Sequence, residues 1–213
     1  SFARKPGADT CLAWEEVDCA LIDAAQIFHF GTLSLTNEPS RTATRRAVAR
    51  ARGQGKWITI DPNLRLPLWG GEDEAREQIL WGLTQADVVK ISGEEVAFLW
   101  GCTPDAGARR LLEDYGVRLA MVTLGSEGCY LANQNAAVQL ACPPVRPVDT
   151  TGAGDIFGGS AVSRLLQLGK APETLTGEDL ERIGAFATMA ASLSTQRRGG
   201  IPSIVPQADV RRA

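Results

Sequence analysis

The sequence predicts an α/β fold built on a mostly parallel sheet with helices on both faces. Three observations carry that expectation. Short apolar runs alternate with amphipathic stretches along nearly the whole chain, the pattern of strand–helix–strand units. The apolar runs read as buried strands, as a sheet covered on both sides requires. No internal repeat and no long or low-complexity linker interrupts the 213 residues, so one domain is expected.

The elements follow in order. AQIFHF (25–30) is a buried strand closed by a turn at Gly31, and 38–55 is a helix ending in a glycine turn. KWITIDPN (56–63) is a short strand with an acid just past its end. Residues 71–83 form an amphipathic helix whose first-turn acids suit the helix dipole. ADVVKIS (86–92) is the next strand, GEEVAFLW opens a short helix, and 105–115 forms another. VRLAMVTL (117–124) is a strand, after which Gly125 to Gly128 turn the chain. Residues 128–143 break the rhythm as a hairpin turning near Asn133 to Asn135. A helix then runs to Leu168. A second long helix (176–196) is capped by Thr176, with Asp179 at N3.

Composition narrows the function classes. The apolar fraction is 44% and the net charge −3, with a pI of about 5.3. These values offer no general surface for nucleic acid or anionic membranes. The basic run RTATRRAVARAR (41–52) reads as a solvated helix face. No segment is long and apolar enough for a bilayer, which takes about 20 residues. Residues 1–10 lack the apolar core of a signal peptide. Five cysteines, Cys11, Cys19, Cys102, Cys129 and Cys142, form no CxxC pair and fit reduced cytoplasmic thiols. The single histidine, His29, reads as a half-buried strand residue rather than a general base.

The chemistry concentrates in VDTTGAGDIFGGSA (148–161). Gly152, Ala153 and Gly154 fall at a helix start, where N–H groups lack intrahelical partners. Nearly bare backbone there makes an anion hole, helped by the helix dipole. No GK[ST] follows, so it is not a Walker A loop. Asp155 beside an anion hole would repel a phosphate it merely touched. It makes sense as the group that accepts a proton from an attacking hydroxyl. An ordinary first-turn acid would look the same. Asp61, Asn63 and Arg65 in DPNLR lie beyond a strand end, where open parallel sheets bind ligands; a plain Pro-Asn turn is the competing reading. In KISGEE, Glu94 or Glu95 suits a hydrated magnesium ion, or is simply a first-turn acid. TLGSEG (123–128) suits a nucleotide passing close to the backbone, as would any tight turn.

These motifs, in this order, resemble the PfkB, or ribokinase-like, family of sugar and nucleoside kinases. VDTTGAGDIFGG matches that family's C-terminal signature, and DPNLR, KISGEE and VTLGSEG stand at suitable separations. FHFGTLSL and the opening SFARKPGADTCL are most similar to fructokinases. The resemblance implies a ribokinase-like three-layer sandwich and transfer of the terminal phosphoryl group of ATP to a sugar hydroxyl, with magnesium. It implies Asp155 as base and Gly152, Ala153 and Gly154 as anion hole. Thr123, Gly125 and Gly128 would lie beside ATP, with Ala187 and Ala190 near the adenine. Asp61, Asn63 and Arg65 would line the phosphate side, and Arg4 would approach the sugar. Glu95 would organise the magnesium waters, with Ser92 where many relatives carry asparagine. Asp149, Thr151 and Gly200 would hold a monovalent cation, K+, Gly200 through its backbone.

The resemblance also implies that residues 1–213 are the C-terminal two thirds of a kinase domain. The sheet is then incomplete at its N-terminus, most of the sugar-binding part and the β-lid being absent. Poor activity is expected of this chain alone, and a homodimer of the full-length protein. The partner is a small-molecule sugar, with no nucleic acid and no membrane, in the cytoplasm. D-Fructose going to fructose 6-phosphate is the leading reaction. Ribose, 2-keto-3-deoxygluconate or a nucleoside is the alternative acceptor. A catalytically inactive nucleotide-binding regulator is the alternative class. A Rossmann dehydrogenase is disfavoured, because no GxGxxG follows an early strand.

Overall fold

A computed structural model describes residues 7–211; Arg4 lies outside them. The chain divides into two compact units, Ser1–Ile91 with Glu113–Val117, and Ser92–Leu112 with Arg118–Ala213.

The first unit runs α1 (Cys19–Ala24), β1 (Ile27–Gly31), α2 (Ser40–Gly53), β2 (Trp57–Asp61), α3 (Glu72–Gln85) and β3 (Val88–Ser92). β1 pairs parallel with β2, from Ile27 opposite Trp57 to Gly31 opposite Asp61. β2 pairs parallel with β3, Thr59 opposite Val88. Parallel neighbours need a crossover, and α2 and α3 supply it. Ile58, Ile60, Ile79 and Leu83 are fully buried. Gly82 lets α3 lie close on the sheet: a Cβ there would stand 2.5 Å from Ile60 Cδ1.

The arginine face of α2 is solvated, as expected, with Arg45, Arg46 and Arg52 exposed, and its side chains also find partners. Arg41 donates to the Leu35 and Thr36 carbonyls and pairs with Glu74 at 2.5 Å. Arg45 donates to Gln78 and stacks over Trp81, and Arg46 stacks over Trp14. Arg50 grips Asp23 with both ends of its fork, and Arg52 donates to the Gln85 carbonyl. Guanidinium groups suit such forked and stacked contacts at a solvated surface. His29 departs from expectation. It is exposed rather than half-buried, its Nδ1 2.8 Å from Thr59 Oγ1.

The second unit carries α4 (Gly93–Trp100), most of α5 (Pro104–Tyr115), β4 (Leu119–Thr123), β5 (Cys129–Ala132), β6 (Ala137–Leu140), α6 (Ala153–Leu168), α7 (Gly177–Ser194) and α8 (Gln207–Val210). Here the pairing is antiparallel, Thr123 opposite Cys129 and Cys129 opposite Leu140. The connections are too short for anything else. The α/β class is as expected, with the parallel pairing in the first unit and the hairpin adding antiparallel strands. Asn133 fixes the hairpin turn. Its Oδ1 accepts the N–H groups of Asn135 and Ala136, and its Nδ2 donates to the Pro172 and Leu175 carbonyls. α7 packs on α6 and on the hairpin. Gly184 permits this, since a Cβ there would meet Leu140 Cδ1 at 2.4 Å. Among the described residues no helix is long and apolar enough to cross a membrane.

Candidate functional site

In the second unit, the chain before α6 is tied to the chain after α7. The N–H groups of Val148 and Asp149 both donate to the Thr195 carbonyl, at 2.7 and 3.0 Å. Asp149 closes the arrangement: Oδ2 accepts the Gly199 N–H at 2.8 Å and Oδ1 the Thr151 N–H at 2.9 Å. Those bonds, the one from Gly199 foremost, hold its carboxyl down at about 2. Gly152 then takes a left-handed turn, φ 78°, as the N-cap of α6. A Cβ on it would stand 3.2 Å from the Gly200 Cα, so glycine is needed both for the turn and for the approach. Asp149, Thr151, Gly152 and Gly200 are thereby brought together.

The first turn of α6 presents its donors. The Ala153 N–H is used by the Thr150 carbonyl at 3.2 Å, and the Ile156 N–H by the Gly152 carbonyl at 2.9 Å. Between them, Gly154 and Asp155 supply first-turn N–H groups that have no intrahelical acceptor. The donors that the helix itself leaves over are therefore those of Gly154 and Asp155 rather than that of Ala153. The Asp155 side chain is exposed at the same helix start.

A cavity of about 400 Å³ opens beside this turn. Thr123, Gly125, Ser126 and Gly128 form one wall. Gly125 and Gly128 both have positive φ, 59° and 106°. A Cβ on Gly128 would stand 1.9 Å from the Leu140 carbonyl oxygen, so no other residue fits there. Thr150, Ala153, Gly154 and Phe157 form the second wall. The predicted nucleotide turn and anion loop thus share one cavity. Ala187 and Ala190 do not line it: both are buried in the core.

Sequence reasoning missed two further walls. From α7 and its C-cap the lining residues are Thr188, Ala191, Ser192 and Thr195. Their spacing, i, i+3, i+4 and i+7, marks one helical face and was available in the sequence. The other wall is the segment after β6, from Cys142 through Pro143, Pro144 and Val145 to Pro147. Its prolines mark extended chain, but nothing in the sequence aims that chain at a cavity.

Glu95 and Ser92 form a capping box at the start of α4. Glu95 Oε2 accepts from the Ser92 N–H and hydroxyl at 2.8 and 2.9 Å, and Ser92 Oγ accepts the Glu95 N–H at 3.2 Å. Glu95 is buried, so part of its carboxylate has a structural task. In the first unit, Asp61 is buried and its Oδ2 takes a hydrogen bond from Lys90 Nζ at 2.8 Å. Asp61 Oδ1 accepts the Asn63 N–H at 3.1 Å, and Asn63 adopts a left-handed φ of 50°. Arg65 is exposed. Among the described residues no three His, Cys, Asp or Glu side chains cluster to hold a metal ion.

Fructokinase-1 of Zea mays is 39% identical over 213 residues, 98% of this chain and 64% of the maize protein. The chain therefore spans just under two thirds of that relative's length. A double mutant of the fructokinase of Vibrio cholerae O395, solved with fructose, ADP and potassium ion bound, superposes with a TM-score of 0.87 at 29% identity. That match covers 100% of this chain and 67% of the other. The aminoimidazole riboside kinase of Salmonella enterica, solved with aminoimidazole riboside and an ATP analogue, gives 0.81 at 27% identity, over 100% and 69%. The fold is that of ribokinase-like kinases. The profile of the pfkB family carbohydrate kinases matches residues 1–208, and the chain belongs to that family.

Proposed function

We propose that this chain is the nucleotide-binding and catalytic part of an ATP-dependent sugar kinase whose acceptor is D-fructose and whose product is fructose 6-phosphate. One observation carries the reading. The Thr123–Gly128 turn and the glycine start of α6 wall the same cavity, with Asp155 at that helix start. A nucleotide lying in the cavity would direct its phosphates toward the Gly154 and Asp155 N–H groups. In-line transfer is mostly a matter of positioning and charge stabilisation. Asp155 would accept the proton of the sugar hydroxyl as its oxygen attacks the terminal phosphorus, while the bond to the leaving ADP oxygen breaks.

The residues fit magnesium that keeps most of its waters and is held chiefly by the phosphates. Bound there, it would neutralise charge on the transferring group. Glu95, already fixed by Ser92, is the acid proposed to order its waters. The Asp149–Thr151 and Gly200 loops are proposed to hold potassium, largely through backbone oxygens. Asp61, Asn63 and Arg65 are proposed as phosphate-side residues. A cytoplasmic location belongs to the same reading, supported by five free thiols.

The fructose assignment rests on likeness to the maize and Vibrio fructokinases. Likeness to the riboside kinase favours ribose-type acceptors as the second choice. Phosphorylation of a panel of fructose, ribose, 2-keto-3-deoxygluconate and nucleosides by the full-length protein decides between them. Preference for fructose is expected. Turnover of another acceptor would remove the fructose assignment, and ATP binding without any turnover would favour a regulatory protein.

A further inference from the structure

In the first unit, the carboxyl ends of β1, β2 and β3 converge on one short turn. β2 ends at Asp61, and the chain continues through Pro62 to Asn63. From β1, Gly31 stands opposite Asp61, and a Cβ on it would come 3.2 Å from the Asp61 carbonyl oxygen. The next residue, Thr32, is fully buried. It gives both its N–H and its hydroxyl proton to the Pro62 carbonyl, at 3.3 and 2.6 Å. From β3, Lys90 Nζ donates to Asp61 Oδ2 at 2.8 Å. The other oxygen of that carboxylate, Oδ1, accepts the Asn63 N–H at 3.1 Å.

The Pro62 carbonyl and the Asn63 N–H belong to one planar peptide. Thr32 therefore holds one end of that plane, and Asp61, backed by Lys90, holds the other. Asn63 leaves the plane with a left-handed φ of 50°. Glycine would take that conformation at no steric cost. Asparagine takes it with support from its surroundings, and brings an amide that can donate and accept. The turn lies at the carboxyl ends of parallel strands, where open sheets bind ligands. A buried ion pair is a poor source of stability in itself, and here it fixes the backbone of a residue assigned to the phosphate side. We propose that Thr32 and Lys90 are positioning residues of the reaction, which lock the Pro62–Asn63 peptide and so fix Asn63 for phosphoryl transfer, a role that rests on the sugar-kinase reading above and deepens it.

The test is kcat of the full-length protein with ATP and its preferred acceptor, beside its affinity for ADP, which lacks the transferring group. Thr32→Val keeps the branched shape and removes the hydroxyl, whereas Thr32→Ser keeps the hydroxyl. Misplacing a positioned group by about 1 Å can cost about 10²-fold, so Thr32→Val should lose about 10- to 100-fold in kcat, with ADP affinity kept within about 3-fold. Thr32→Ser should restore most of that loss. An unchanged kcat in Thr32→Val, or a parallel loss of ADP affinity, overturns the proposal. Thr32→Val added to Asn63→Ala should cost little beyond Asn63→Ala alone, because the two act as a unit. Losses that multiply independently would show that Thr32 does not act through Asn63. Lys90→Met, assayed at a temperature where it stays folded, should repeat the Thr32→Val pattern, and an unchanged kcat would overturn the part given to Lys90. Absence of turnover in the wild-type protein with every acceptor overturns the sugar-kinase reading, and this role with it.

Discussion

Two buried or clamped carboxylates show what single residues do here. Asp61 and Lys90 have side chains only 9% and 10% exposed and meet at 2.8 Å. Truncating one member of such a pair leaves the other charged in a dry place. Lys90→Met should therefore cost about 3–5 kcal/mol in denaturant unfolding. Lys90→Met combined with Asp61→Leu should recover most of that loss; equal destabilisation in single and double variants would refute the pair's role. Asp149 makes a prediction about pH. Its carboxyl sits at about 2 when folded against an ordinary value of 3.8, so the unfolded chain takes up its proton first. Its contribution to stability is complete above 3.8 and is lost as pH falls toward about 2. Asp149→Asn should flatten the fall in stability between those values, and an unchanged slope would contradict the assignment. The glycine turns, and the place of Asp155 in the first turn of a helix, were legible in the sequence because their types are tied to backbone geometry and charge. The Asp61–Lys90 pair was not, because the partners are far apart in sequence and only the parallel pairing of β2 with β3 brings them together.

At the scale of elements, helix caps were the most readable features. Thr176 Oγ1 accepts the Asp179 N–H at 3.3 Å, and Asp179 Oδ2 accepts the Thr176 N–H at 3.0 Å. This is the box the sequence predicts at the start of α7. Thr176→Ala should lower stability by about 1 kcal/mol, measured as a shift in the unfolding midpoint at constant m. Loss of less than a few tenths would mean that the Lys170–Asp179 pair alone anchors this helix start. Strand and helix positions followed from hydrophobic period, with ends shifted by a few residues. α1 and α8 were not foreseen; at six and four residues they are too short to display a period. The face of α7 that lines the cavity was misplaced by one residue, from 187 and 190 to 188, 191, 192 and 195. On a helix, one residue turns the chain by about 100°, which separates core from cavity. The sequence of α7 is rich in small residues on every side, so composition did not mark which face is wet.

For the molecule as a whole, the α/β class and the order of its motifs were readable because each strand and each glycine turn has a local signature. The walls of the cavity were less so, because the segment from Cys142 to Pro147 is shaped by where β6 ends and α6 begins rather than by its own pattern. Gly128 links the scales. Its φ of 106° and the 1.9 Å approach of a Cβ to the Leu140 carbonyl mean that Gly128→Ala must deform both hairpin and cavity. Loss of nucleotide binding is expected with at least about 2 kcal/mol of destabilisation, read by thermal melting with and without ADP. The central claim, that Asp155 removes the proton of a sugar hydroxyl during phosphoryl transfer, is tested most directly by kcat for fructose in the full-length protein and its Asp155→Asn variant, with ADP affinity measured on both. A fall in kcat of about 10²–10⁴ with ADP affinity changed by less than a few-fold is the predicted result. A variant that retains most of its kcat would contradict the assignment of Asp155 as the base.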